Sequence, residues 1–310
     1  MTPSRPIRVA IALMLLALAL GVLAVPRAKR TRWIRRILHR QSTPVADRMG
    51  LPSVMFWAWE RPEDLRFLDP HEAGVGFLAR SIYLQPHADV DDPEHGVLLR
   101  PRMQPLEVLP EQPLMAVVRI EVLPAKHSAA TGAGSESVSS QPFSEAQRQR
   151  AAGLIVEAVR LPGVRALQID FDATQSQQAF YRTLLQDVRQ KLPPRMPLSI
   201  TALASWCVGD SWLDDLPKGT VDEAVPMLFR LGVGSRNFAA FLQAGHDFTE
   251  PLCQGSIGVS TDEAFSQDLL QGKPAISHAW RARRVYVFPP RSLTKDQAAA
   301  VLDALHSWHE

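Results

Sequence analysis

The chain has few of the features that mark the common enzyme classes. It contains only two cysteines in 310 residues, Cys207 and Cys253, and their spacing fits neither a metal site nor a disulfide framework. One disulfide between them and two buried free thiols both stay open, with free thiols the simpler expectation. There is no H-E-x-x-H, no G-x-S-x-G and no phosphate-binding glycine loop, which argues against metalloprotease, esterase and nucleotide hydrolase functions. Aromatic residues make up only 7%, but seven of them are tryptophan.

Charge is unevenly distributed along the chain. Residues 1–40 hold nine of the 34 basic residues and no acid, which leaves 25 basic and 32 acidic residues in the remainder, a net charge of −7. A mildly acidic body is not expected to bind nucleic acid.

An unbroken apolar run covers residues 9–25, and a dense basic stretch follows it. The run suits either a signal peptide, with a small-residue cleavage site at residues 22–24, or an uncleaved membrane anchor. The basic flank favours the anchor, because such flanks stay on the cytoplasmic side. We therefore expect three parts: residues 1–26 as signal or anchor, 27–50 as a basic linker against lipid headgroups or as a solvated helix, and 51–310 as the folded domain. The folded domain is expected outside the cytoplasm, with the cytoplasmic face left open.

The body alternates strand-like and helix-like segments. Strands are predicted at residues 54–60, 76–84, 115–123, 167–173, 198–206, 223–231, 256–260 and 284–289, and helices at 144–161, 176–192, 236–244 and 294–308. Eight strands with interposed helices over about 260 residues indicate an α/β fold, a (β/α)8 TIM barrel. The first third is expected to be irregular, since residues 85–113 contain no convincing helix. A doubly wound open sheet is the competing fold.

The segment L-Q-I-D-F-D-A (residues 167–173) carries the strongest candidate site. Period-two alternation puts Gln168, Asp170 and Asp172 on one face, with both acids at the strand's C-terminal end. In a parallel barrel that end is the ligand-binding face. A buried hydrogen bond from Arg119 or Thr201 is the structural alternative for Asp170.

Other acids and tryptophans end neighbouring predicted strands, and together they suggest carbohydrate. Tryptophan faces stack on sugar rings, while carboxylates bind hydroxyl groups and move protons. The candidate catalytic residues are Asp170, Asp172 and Glu121, and the candidate substrate-binding residues are Trp57, Trp59, Glu60, Arg119, Trp206, Arg230 and Asp262. Core packing for the tryptophans and a helix start at Asp262 and Glu263 are the structural alternatives.

No metal or other cofactor is predicted. The residues His87, Asp89, Asp91, Asp92 and His95 lie close together but follow no established metal-binding spacing, so a solvated acidic loop is expected there. Residues 125–141 are rich in Ala, Ser and Gly and are expected to form a loop.

Three segments resemble a bacterial family of unknown function that is grouped with glycosidase-like TIM barrels: L-Q-I-D-F-D-A with the following Tyr181 and Leu185, L-S-I-T-A-L-A-S-W-C (198–207), and A-V-P-M-L-F-R-L-G (224–232). The resemblance covers about residues 53–290 and implies the barrel rather than an activity.

A more distant resemblance is to chitinase-type glycosidases, whose fourth strand carries D-x-x-D-x-D-x-E with the last Glu as general acid. Asp170 and Asp172 match the second and third acids, but Leu167 and Thr174 stand at the first and last positions. An acid would then have to come from Asp172, Glu121 or Asp262. The sequence predicts a glycoside hydrolase-like protein acting on an envelope or extracellular polysaccharide, with a non-catalytic carbohydrate-binding barrel or an envelope scaffold as alternatives.

Overall fold

The computed structural model describes residues 49–88, 92, 94–124, 143–209, 211–231, 234–273 and 278–309. The predicted N-terminal apolar run, the basic linker up to residue 48, the loop at 125–141 and the acids Asp89 and Asp91 lie outside these ranges. Within them, no helix combines the length and the apolarity that crossing a bilayer requires.

The described residues form eleven strands and six α-helices. The strands are β1 (Val54–Ala58), β2 (Glu63–Asp64), β3 (Ala73–Leu84), β4 (Val97–Pro101), β5 (Leu106–Glu107), β6 (Leu114–Val122), β7 (Val164–Asp170), β8 (Leu198–Leu203), β9 (Glu223–Met227), β10 (Ser256–Ser260) and β11 (Arg284–Phe288). The helices are α1 (Glu145–Val156), α2 (Gln178–Lys191), α3 (Gly234–Gln243), α4 (Ala264–Leu270), α5 (His278–Arg281) and α6 (Lys295–His306).

Eight parallel strands close into a barrel in the order β1, β3, β6, β7, β8, β9, β10, β11. Closure is made by β1, which pairs with β11 on one edge (Val54 with Val285) and with β3 on the other (Val54 with Ala73). The predicted TIM barrel is therefore confirmed, and the competing open sheet is wrong, because an open sheet has two unpaired edges.

The first third of the barrel is irregular, as predicted. Between β1 and β3 the chain forms β2, and between β3 and β6 it forms β4 and β5, with no α-helix in the described part of either connection. Strand β4 pairs antiparallel with the end of β3, while β2 and β5 pair with each other outside the barrel.

Two helices begin with a reciprocal side-chain cap. Ser144 Oγ accepts from the Gln147 backbone N–H at 3.1 Å, and Gln147 Oε1 accepts from the Ser144 N–H at 2.8 Å, which together form a capping box at the start of α1. Thr294 and Gln297 form the same box at α6.

Two apolar layers follow from strand alternation. Outward residues of the strands, such as Ile169 and Ile200, pack with Leu184 and other helix residues. Inward residues, among them Met55, Trp57, Val117 and Tyr286, fill the barrel itself. The interior of the barrel is thus a packed core.

Cys207 and Cys253 are joined by a disulfide with a Cα–Cα distance of 5.8 Å. The expectation of two buried free thiols is wrong. Spacing along the chain could not reveal the pair, because the two residues are 46 positions apart and meet only when β8 and the segment before β10 are packed side by side.

Candidate functional site

A cavity of about 380 Å³ opens at the C-terminal ends of the barrel strands. The cavity is lined by inward-facing residues of the strands and by residues just past the strand ends. They belong to β1, β6, β7, β8, β9, β10 and β11. Side chains further down each strand fill the barrel interior, so the residues at these ends are the ones that can line an open cavity.

The end of β7 supplies the two acids of the cavity. Gln168 and Asp170 point into the barrel, and Asp172 follows two residues later, just beyond the strand. Asp170 is only 7% exposed and accepts a hydrogen bond of 2.8 Å from Thr201 Oγ1. Asp172 is exposed at the cavity wall. One carboxyl is therefore held in the floor and the other meets solvent.

Burial sets the protonation of Asp170. Desolvation raises its pKa from 3.8 to about 6, against the lowering effects of the Thr201 hydrogen bond and the Arg119 charge. The negative charges of Asp172 and Glu121 act in the raising direction. The structural alternative for Asp170, a hydrogen bond from Thr201 inside the barrel, is therefore what the structure contains, and the residue also lines the cavity.

Arg119 connects the acids to the aromatic wall. Its Nη1 lies 3.8 Å from Asp170 Oδ2, and its Nε lies 2.9 Å from Glu121 Oε1. Its guanidinium also lies over the Trp59 ring, 5.5 Å from the ring centre. Glu121 is thus paired beside the cavity rather than inside it, on the same strand face as Arg119.

Four aromatic rings form one side of the cavity. Trp57 contacts Trp59 and Phe288 with ring centres 4.9 and 4.5 Å apart, and Phe288 contacts Phe229 at 4.8 Å. Trp57 is 1% exposed, and its Nε1 donates to Gln168 Oε1 at 3.0 Å. Trp57 supports this wall from below, while Trp59 is the more accessible ring.

Arg230 lines the cavity in an unusual backbone conformation. Its φ of 57° lies in the left-handed region, and its backbone N–H donates to both carboxylate oxygens of Glu263, at 2.8 and 2.9 Å. Glu263 thus holds the segment that carries Arg230 against the cavity.

Three residues of the predicted binding set do not line this cavity. Glu60 accepts hydrogen bonds from the backbone N–H groups of Met103 and Gln104. Trp206 is 3% exposed and packs edge-on against Trp212, beside a shallower depression next to the cavity. Asp262 accepts a hydrogen bond from Ser260, which does line the cavity. Trp206 misses the cavity because β8 ends at Leu203 and a 3-10 turn (Ala204–Cys207) then redirects the chain.

Thr174, at the general-acid position of the chitinase-type motif, serves as a helix cap. It starts the turn Gln175–Gln177 that leads into α2, and its backbone N–H donates to Gln177 Oε1 at 2.9 Å. It does not line the cavity, so it contributes no proton-transfer group there.

Sequence reasoning missed Phe229, Ser260 and Phe288 as lining residues. Phe288 could have been found, because the alternation Arg284, Tyr286, Phe288 puts it at the inward position at the end of β11. Ser260 is likewise the last residue of β10. Phe229 lies past the end of β9, where alternation no longer applies.

Among the residues that the structure describes, no group of three or more His, Cys, Asp or Glu side chains is placed to hold a metal ion. His87 and His95 instead mark turns, with positive φ values of 51° and 52°.

Comparison with known families agrees with the resemblance seen in the sequence. Residues 111–226, from β6 to β9, match a family described as "Domain of unknown function (DUF3142)". No curated protein sequence matches the chain.

Solved structures similar to this one include several glycosidases. A putative chitinase A from Streptomyces coelicolor is 12% identical, with a TM-score of 0.47 over 84% of this chain and 99% of that one. A chitinase from Rhizomucor miehei is 13% identical, with a TM-score of 0.44 over 83% and 99% of the two chains. A GH113 beta-1,4-mannanase is 7% identical, with a TM-score of 0.41 over 83% and 99%.

Proposed function

We propose that this protein binds a polysaccharide in the cavity at the barrel mouth and hydrolyses a glycosidic bond there, with Asp172 as the proton-transferring residue. The observation that carries the proposal is the exposed Asp172 carboxylate, set above the buried Asp170 and facing an aromatic wall. Carboxyl groups beside aromatic faces suit sugars, whose C–H faces pack on rings while their hydroxyl groups bind carboxylates.

The second carboxyl group of the reaction would be Glu121. Arg119 on β6 pairs with Asp170 on the neighbouring strand β7. Glu121 lies two residues after Arg119, and Asp172 lies two residues after Asp170, so the two carboxyl groups are at matching positions. Neighbouring strands are about 4.8 Å apart, a spacing that allows the two carboxyl groups to reach the separations of roughly 5 to 10 Å used by retaining and inverting glycosidases. Asp262 is the alternative partner, reached through Ser260.

Asp170 would act as a positioning residue. Its carboxyl is held by Thr201 and faces Arg119, so it fixes the end of β7 and the charge next to Asp172. With a pKa of about 6, its charge changes in the weakly acidic range, and this change would alter the field at Asp172.

Location outside the cytoplasm is part of the proposal. The disulfide between Cys207 and Cys253 supports it, because structural disulfides persist mainly in oxidising compartments. A polysaccharide of the cell envelope or of the extracellular space would then be the available substrate, and the N-terminal apolar run would supply export or attachment.

A non-catalytic carbohydrate-binding barrel is the second candidate function. The observation that favours it is the use of Thr174 as a helix cap, combined with the ion pair that engages Glu121. In that case the aromatic wall and Asp172 would bind sugar without cleaving it.

The experiment is a binding screen of the full-length chain against an array of envelope and extracellular glycans, with mass spectrometry of each bound glycan after incubation. Shortened products would support hydrolysis. Intact bound glycan would select the binding barrel and overturn the catalytic claim. If no glycan on the array binds, the carbohydrate function itself is wrong and a scaffold role replaces it.

A further inference from the structure

Strand β3 continues well past the strand beside it. It has twelve residues, and its pairing with β1 ends at Phe77. From Arg80 to Leu84 the same edge of β3 pairs with β4 instead, while the other edge still pairs with β6. Strand β4 therefore stands beyond the end of β1 and raises one wall of the barrel above the mouth.

Pairing registers show which side chains of this wall face the cavity. Asp170 pairs with Arg119, Arg119 pairs with Ser81, and Ser81 pairs with Arg100. Two residues along β3, Tyr83 pairs with Leu98 and with Glu121. Paired residues of a sheet project to the same face, so all of them share the face of Asp170.

Residues at the alternate positions support this assignment. Ile82, Leu84 and Val97 belong to the buried apolar layer outside the barrel, at 0%, 0% and 1% exposure. Since alternate residues of a strand point to opposite sides, Ser81, Tyr83, Leu98 and Arg100 point toward the mouth. We refer to these four residues as the rim strip.

The rim strip has the composition of a ligand-binding surface rather than of a solvated edge. Leu98 is 52% exposed, the Tyr83 ring is half-buried, and Arg100 is exposed. Across the part of the chain that the structure describes, no ion-pair partner is found for Arg100, whereas Arg119 in the same row has two. An aromatic ring, an aliphatic side chain and a free set of guanidinium donors thus lie together above the cavity.

We propose that the rim strip is a second sugar-binding subsite, which makes the substrate a linear polysaccharide that leaves the cavity across β6, β3 and β4. This inference rests on the carbohydrate function proposed above. Three strand spacings separate Asp170 from Arg100, or about 14 Å, which is more than one sugar ring spans. Tyr83 and Leu98 would pack against sugar faces, and Arg100 would donate hydrogen bonds to ring oxygens or hydroxyl groups.

The test is binding as a function of chain length. Calorimetry would use the full-length chain with chitin-, cellulose-, mannan- and polyuronate-derived oligosaccharides of about two to about eight sugars. For the series that binds, affinity should rise from the shortest to the longest members. The variants Tyr83→Ala and Arg100→Gln should each weaken binding of the longest members by roughly tenfold and leave the shortest unchanged.

Leu98 and Leu99 provide a matched pair of variants. Both leucines are exposed and adjacent on β4, but Leu99 pairs with Ile82 and so points away from the mouth. Leu98→Ala should weaken binding of long oligosaccharides, and Leu99→Ala should not. Arg100→Gln alters an exposed side chain without a described ion pair, so it keeps the test free of folding defects.

The outcomes separate this inference from the function on which it rests. If short and long oligosaccharides bind wild-type protein equally well, or if Leu98→Ala and Leu99→Ala behave alike, the rim strip is not a subsite although the cavity still binds sugar. If no oligosaccharide of any length binds, the carbohydrate function is wrong, and the rim subsite is wrong with it.

Discussion

Thr201 on β8 donates a hydrogen bond of 2.8 Å to Asp170 on the neighbouring strand β7, inside the barrel. The bond fixes a carboxyl that is almost fully removed from water. The Thr201 hydrogen bond and the Arg119 charge stabilise the ionised form less than hydration would, so burial raises the pKa to about 6. Asp170 and Asp172 differ in burial because Asp170 lies in the floor of the cavity and Asp172 lies at its exposed wall; the D-x-D pattern alone does not distinguish them.

The stability of the protein should depend on pH through Asp170. The pKa of this group is raised from 3.8 to about 6 on folding, so the folded state binds more protons in that interval. The stabilisation that this proton binding contributes is fully present at pH values below 3.8 and is lost as the pH rises to about 6. Asp170→Asn should gain about 2 kcal/mol relative to wild type between pH values of about 4 and 7.5. Urea unfolding of both proteins at the two pH values measures this difference.

Asp64 offers a control of opposite sign. Its pKa is lowered to about 2 by hydrogen bonds from Arg66, and it is exposed. Asp64→Asn should therefore lose, not gain, stability relative to wild type as the pH rises through the acid range. A difference between wild type and Asp170→Asn that stays constant with pH would show that Asp170 ionises as an exposed carboxyl does.

Replacement of Asp172 by Asn should strongly slow hydrolysis while sugar binding remains. Asn keeps the size and the polarity of the side chain but cannot transfer a proton, and loss of an acid–base residue costs about 10²- to 10⁴-fold in rate. Product formation and binding would be measured on the same glycan. Asp268→Asn is the matched control, because Asp268 is an exposed carboxylate of α4 outside the cavity. Full hydrolysis by Asp172→Asn would remove Asp172 from the mechanism.

Strand periodicity predicted the barrel because it reports which residues are buried on each side of a strand. All eight barrel strands overlap the predicted segments, and Gln168 and Asp170 point inward as the alternation requires. Periodicity does not report where a strand ends. Strand β7 ends at Asp170 and β8 at Leu203, so Asp172 lies beyond its strand and Trp206 turns into the core.

Contacts between distant segments were the second feature that could not be predicted from the sequence. Strand β4, which creates the rim strip, is short, and its pattern Val97-Leu98-Leu99 shows no alternation from which its inward face could be recognised. The Cys207 to Cys253 bond also depends on which segments meet in three dimensions. The acids of the site could be predicted, and so could Thr201 and Arg119 as partners of Asp170, but the disulfide and the rim strip could not.

Substitutions of Trp57 and Trp59 should distinguish a residue that stabilises the fold from one that binds the ligand. Trp57 is buried and donates to Gln168 Oε1, whereas Trp59 is partly exposed at the cavity. Trp57→Phe leaves that oxygen without its donor and should cost about 1 to 3 kcal/mol of unfolding free energy. Trp59→Phe should cost less than about 0.5 kcal/mol. Urea unfolding of the two variants tests the difference, and equal losses would contradict the assigned roles.

Trp59→Ala extends the comparison to the ligand. Removing an exposed ring that faces a sugar should weaken glycan affinity by roughly tenfold, because aromatic contacts contribute about 1 kcal/mol or more. Calorimetry with the glycan that binds wild type measures the change. Unchanged affinity would mean that the aromatic wall is a structural feature only.

Removal of the disulfide should destabilise the whole barrel rather than one loop. The bond closes a 46-residue segment that contains β9 and α3. The entropy of closing a loop of that length predicts a contribution of about 4 kcal/mol, which is a large part of the stability of an ordinary domain. The double variant Cys207→Ala with Cys253→Ala should therefore unfold at markedly lower urea concentration than wild type.

Reducing agent supplies the control for that measurement. Dithiothreitol should lower the stability of wild type toward that of the double variant and leave the double variant unchanged, because only wild type has a bond to reduce. If the agent has no effect on wild type and mass spectrometry finds two free thiols, the bond does not form. The support that it lends to a location in an oxidising compartment would then be lost, while the argument from Asp172 and the aromatic wall would stand.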